Sequence, residues 1–224
     1  MGKALAEQEQ ALKLYANIRG GLYAAPGFAT LALIESKTGL FAKSAEAVSS
    51  AESRLAKLEG NLTQLRSAIL CTQAEAAYAQ RQWTQTARFA RQALALPANE
   101  ADPNARLLAG LAAIRMSKIG EGLSQASASV EQYDQKDRQL AAASARLELA
   151  AALWENNRQS DAQVFAKASL AFFEPLENWE AIWRCRRILE DPKAAEALDR
   201  CRQVLGPEMF DSYKKRPILE KLLP

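Results

Sequence analysis

A chain of 224 residues with 29 Lys and Arg, 26 Asp and Glu and no His carries a formal charge of only +3. The missing His excludes His-based triads, His general acid–base chemistry and His metal sites, and the balanced, interleaved charges argue against nucleic acid, which calls for a basic stripe. Alanine (45) and leucine (30) make up a third of the chain while valine occurs 4 times, a usage that favours helices over sheets.

Cys71, Cys185 and Cys201 are too far apart for a CxxC pair, so zinc-ribbon and thioredoxin motifs are absent. An odd cysteine count fits a reducing compartment. No apolar run approaches the ~18 residues that span a membrane, and the first residues lack a signal-peptide apolar core. The expected setting is cytoplasmic, with no membrane partner.

Helical periodicity begins at once, with Leu5, Leu12, Tyr15 and Ile18 near one helix face. Gly20-Gly21 closes that segment and Pro26-Gly27 marks a turn. A shorter helix is expected around 29–38, ending at Gly39. Phe41, Ala45, Val48, Leu55 and Leu58 form the next stripe, broken by Gly60-Asn61. From Leu62 to Gly206 the pattern is helix, short turn, helix. Asp102-Pro103 and Asp191-Pro192 each read as an N-cap acid before a first-turn proline. The tail, with Met209, Phe210, Tyr213, Ile218, Leu219, Leu222 and Leu223 as apolar anchors, reads as a helical cap on the last helices.

Three stretches repeat, starting at Ser67, Pro103 and Ala143, with offsets of 36 and 40 residues. Small residues recur in four columns: Ala74/Gly110/Ala150, Thr86/Gly122/Ala162, Ala90/Ala126/Ala166 and Ala93/Ser129/Ser169. A larger apolar column follows at Leu94/Val130/Leu170. A weaker fourth copy from Asn178 matches with Cys185, Ala197, Cys201, Val204 and Leu205. Antiparallel helices approach closely only where side chains are small, and stacked hairpins then bury a shared core.

On these columns, a repeat length near 34 residues and the large Trp83 ahead of the second helix, the sequence resembles the tetratricopeptide repeat family. Tyr78 and Trp154 fall at the aromatic end of the first helices, as in that family. The resemblance covers 67 to about 206. It implies an all-α, right-handed solenoid of stacked antiparallel hairpins, about 10–12 helices. The organisation expected is one domain over 1–224: a degenerate helical part (1–62), three to four repeats (67–206) and a cap (207–224).

The resemblance also implies non-catalytic protein–protein interaction through a concave wall built from the first helices. In this register Tyr78, Ile114, Trp154 and Leu189 form one outward column, with Arg115 and Glu155 in the next and Leu111 and Arg186 one turn earlier. The positions that clamp a peptide carboxylate in some family members are Cys71, Glu75, Leu107 and Leu111 here, which cannot do so. The partner expected is therefore an apolar or amphipathic protein segment or peptide. Packing of Tyr78, Ile114 and Trp154 between hairpins is the competing reading.

Trp179 and Trp183, four apart on one helix face, are either core of the last hairpin or an aromatic hot spot; with the tail, they offer a route to homo-oligomers. No phosphate loop, zinc signature or nucleophile elbow appears, so no enzyme and no cofactor is expected. A small-ligand or peptide sensor and an RNA-binding repeat are the alternatives to a scaffold, the latter weakened by the mixed charges.

Overall fold

The computed structural model describes residues 2–16, 24–58, 62–97 and 102–224. Among these, twelve α-helices and one short 3-10 turn are present and no strand: α1 Gly2–Ala16, α2 Ala24–Lys37, α3 Phe41–Leu55, α4 Thr63–Ala79, α5 Trp83–Leu94, α6 Pro103–Arg115, α7 Ile119–Gln135, α8 Gln139–Glu155, α9 Gln159–Phe173, α10 Trp179–Ile188, α11 Ala194–Leu205, α12 Pro207–Lys214 and the turn Pro217–Leu219. They pack as successive hairpins, α2/α3, α4/α5, α6/α7, α8/α9 and α10/α11. The first helices α2, α4, α6, α8 and α10 touch in sequence, and each second helix meets the following first helix. The chain is an all-α solenoid of two helical layers.

The repeat seen in sequence is physical. All four small columns of the three copies are buried. The tightest pair is α6 against α7: a Cβ on Gly110 would stand 2.7 Å from Gly122 O and 2.8 Å from Ala126 N. The turn between the helices recurs as well. Arg81, Ser117 and Asn157 all adopt φ near +60°, spaced by the same 36 and 40 residues. Around each, two backbone bonds close the helix end, such as Gln82 N to Ala77 O at 2.9 Å and Arg81 N to Tyr78 O at 3.0 Å. Within two hairpins a buried serine repeats the register: Ser129 Oγ donates to Pro103 O and Ser169 Oγ to Ala143 O.

Local readings fare unevenly. Asp102 caps α6 by accepting from Asn104 N at 2.9 Å, with Pro103 at the first position. Asp191 Oδ1 accepts from Lys193 N, but α11 starts only at Ala194. Pro26-Gly27 is not a turn. It lies in the first turn of α2, where the proline's missing N–H has no intrahelical acceptor to lose. The helix ends at Lys37, and Gly39, φ +83°, lies in the turn just after it. Gly20-Gly21 and Gly60-Asn61 lie outside the described residues. In the fourth copy Cys185, Ala197 and Cys201 are buried, whereas Val204, aligned with buried Ala93, is 71% exposed.

The tail does more than cap the last helices. Tyr213 docks on Trp183 of α10, Phe210 stacks on Tyr213, and Arg187 Nε donates to Leu222 O. The strap then runs across the first-helix layer: the Pro217–Leu219 turn touches α4, Glu220 lies 3.7 Å from Arg81, and Ser212 packs on Gly39 at the α2–α3 corner. Ile218, Leu219 and Leu222 are buried in the main core.

Candidate partner-binding groove

Between the first-helix layer and the strap lies a cavity of about 930 Å³. Leu107, Leu108 and Leu111 of α6, Ala145 and Leu147 of α8 and Ala181 of α10 give it an apolar wall; Ile218 closes it from the strap. Most of its charges fall in two clusters. At one end Lys37 stands 3.8 Å from Glu75, and Asn104 Nδ2 donates to the same carboxylate at 2.9 Å. At the other, Arg184 is held between Glu148 at 2.8 Å and Glu180 at 3.4 Å, and Arg216 of the strap approaches Glu180 at 3.9 Å.

These contacts favour the ionised forms of Glu148 and Arg184. Burial works to push the Glu148 carboxyl up, but the Arg184 guanidinium outweighs it and holds the group below the usual carboxylate range. Arg184 stays charged, its pKa well above the ordinary value because Glu148 and Glu180 overcome its burial. Tyr213 Oη donates to Glu180 Oε1 and accepts from Trp183 Nε1, both at 3.0 Å. Burial, reinforced by Glu180, lifts its phenol well above 10.

A second network lies at the C-terminal ends of α4, α6 and α8. Arg115 pairs with Glu155, donates to Tyr78 Oη at 3.3 Å and sits over the Trp83 ring at 5.3 Å. Arg81 joins Glu155 at 3.2 Å. Burial raises the Tyr78 phenol to about 12, partly offset by Arg115. The Arg115 and Glu155 side chains are 2% and 3% exposed. This network ties neighbouring hairpins together.

Of the residues nominated from sequence, Tyr78 and Leu111 line the cavity. Ile114 is fully buried, and Arg115 and Glu155 belong to the inter-hairpin network. Trp154 is half-buried against the core. Trp183 is 1% exposed and Trp179 half-buried against the same core, so the two do not form one exposed aromatic patch. Arg186 pairs outward with Glu174 at 2.7 Å. The cavity-lining face of the first helices is rotated from the expected columns toward Asn104, Leu108, Ser144 and Glu148. Polar residues set among apolar ones, Asn104 on α6 and Ser144 and Glu148 on α8, were the available signal for that face.

Burial raises Cys185 to about 11 and Cys201 to about 12, and lifts Cys71 further, where Asp102 adds to the effect. Such thiols are poor nucleophiles. Among the described residues no group of His, Cys, Asp and Glu is arranged to hold a metal ion, and no helix is long and apolar enough to cross a membrane.

No family model matches the sequence, and no curated protein matches it. Solved structures do share the fold. BtubC (BKLC) from P. vanneervenii superposes with a TM-score of 0.57 at 17% identity, over 91% of this chain and 90% of that one. A Rap protein, crystallised in complex with Competence and Sporulation Factor, gives 0.68 at 18% identity over 94% of this chain. The match spans 60% of the Rap chain. At such identities the likeness is one of fold, and the chain is a helical-repeat solenoid of that kind.

Proposed function

We propose that the chain is a tetratricopeptide-like, non-catalytic binding module that takes a peptide segment of another protein into the groove between its first helices and its C-terminal strap. The observation that carries this reading is the cavity of about 930 Å³, apolar along α6 and α8 and edged by clustered charges. Pockets that enclose small ligands run to about 1,000 Å³ with mostly apolar walls and a few placed polar groups. The space bounded by the strap suits a short segment rather than a long helix. A preformed rigid groove lowers the ordering cost of binding. The Rap protein with its bound factor offers a parallel in the same fold.

Ser144 and Leu140 test the assignment, because both are exposed and line the cavity. Peptides selected from a displayed random 12-residue library would be titrated by fluorescence anisotropy. Binding to Ser144→Arg and Leu140→Asp is expected to be about tenfold weaker than to wild type. Binders indifferent to both substitutions would place the site elsewhere, and a library without binders would refute the reading.

A further inference from the structure

Glu35 of α2 is the one acid buried as a whole residue among the described ones, 3% exposed, and its Oε2 has no hydrogen-bond partner there. Carboxylates covered elsewhere are matched with cations: Glu155 with Arg115 and Arg81, Glu148 with Arg184. The charges that act on Glu35 are Glu9 of α1 and Lys43 and Glu46 of α3, all three exposed, and two of them are acids. From α4 and the strap, Glu75 and Arg216 come instead to the neighbouring Lys37 and Gly39.

Of the helices around this carboxyl, α1 is the most lightly held. It rests mainly on α2. Leu12 enters a small apolar cluster with Leu31, Ala32 and Ala47, and Gln8 Nε2 donates to Gly27 O at 2.9 Å. Leu14 of the same helix is 61% exposed. By contrast α3 forms a close hairpin with α2 and is pinned by Ser44 Oγ, which donates to Ala32 O at 2.7 Å. Ionising a covered carboxyl costs free energy, because its water is lost and like charges oppose it. Here burial is the main cost, Glu9 and Glu46 add to it, and Lys43 offsets part. Moving α1 away removes cover and the Glu9 charge together.

We propose that docking of α1 on the α2/α3 hairpin is coupled to uptake of one proton by Glu35, so that α1 is held in acid and released as the solution turns neutral to alkaline. With α1 undocked the carboxyl returns toward its ordinary 4.5, whereas the docked state binds the proton more tightly. The docking constant therefore falls as pH rises from about 4.5 through the docked value, by up to tenfold per pH unit, and is level beyond it. Release takes Leu12 from its cluster and leaves Leu31, Ala32 and Ala47 without that cover. The helix acts as a proton-controlled cap on the face of the α2/α3 hairpin.

Hydrogen–deuterium exchange on the full chain between pH 4.5 and 8 tests the coupling, each amide rate being divided by its intrinsic rate at that pH. Protection of the α1 amides is expected to fall about tenfold across the range while α6 and α8 hold theirs. Glu35→Gln is expected to keep α1 protected at every pH. Three substitutions at exposed positions keep the test open should that variant not fold. Glu9→Gln and Glu46→Gln are expected to move the midpoint of the loss to lower pH, and Lys43→Gln to move it higher. Constant α1 protection in the wild type, or a folded Glu35→Gln chain that still loses it, would overturn the coupling. So would a midpoint indifferent to residues 9, 43 and 46, or an equal loss in α6 and α8, which is global unfolding.

Discussion

Trp183 and Tyr213 are joined twice: their rings meet edge-on at 82° with centroids 6.3 Å apart, and the indole N–H donates to the phenol oxygen at 3.0 Å. One residue belongs to the last repeat, the other to the strap. Both are almost wholly buried. Tyr213→Phe keeps the ring contact but strands the indole donor and removes the bond to Glu180. The expected loss is about 1–3 kcal/mol, read as a lower urea midpoint with an unchanged slope.

The close approach of α6 and α7 gives a second prediction. Gly110→Ala places a methyl against the backbone of Gly122 and Ala126, neither of which can move without separating the helices. A destabilisation of about 1–3 kcal/mol is expected. Gly120, in the same hairpin, has nothing within 4 Å of its virtual Cβ. Gly120→Ala is expected to be neutral or to stabilise by up to ~1 kcal/mol, through helix propensity alone. Thermal melts of the two variants separate packing from backbone entropy.

Two glutamates should give stability slopes of opposite sign. Burial raises Glu35 above its ordinary 4.5, aided by Glu9 and Glu46 and opposed by Lys43. A raised carboxyl stabilises the fold at low pH and loses that contribution as pH climbs through its folded value. Glu35→Gln is therefore expected to gain on wild type between pH 4 and 7. Glu148 is lowered, so its contribution is present above about pH 4.5 and is lost on acidification. Glu148→Gln should be weaker than wild type at neutral pH and converge with it in acid. Denaturant titrations across this range check both signs.

The repeat was legible in the sequence because close packing leaves a local trace. Gly110 facing Gly122 marks a position where nothing larger fits, and Ala150, aligned with Ala74, is fully buried as its counterpart is. The direction each first helix faces was not legible. From Leu107 to Ile114 every residue of α6 is buried, and α8 is nearly the same. An apolar pattern on all sides has no preferred face, so the columns through Ile114 and Trp154 looked as suitable for a groove as those through Leu108 and Glu148. Tyr78 and Leu111 border the cavity although both are buried. The strap's path was hidden for another reason. Its contacts with Gly39 and Arg81 join residues far apart in the chain, and no local propensity records such a pairing.

That path changes how the array responds to load. An open solenoid behaves like a spring: each repeat leans only on its neighbours, and the ends fray and flex independently. Here Ser212 rests on the Gly39 corner and Glu220 reaches Arg81, while Arg187 holds Leu222 from the far end. The strap thus joins the first and last of these hairpins directly, beside the path through the repeats between them.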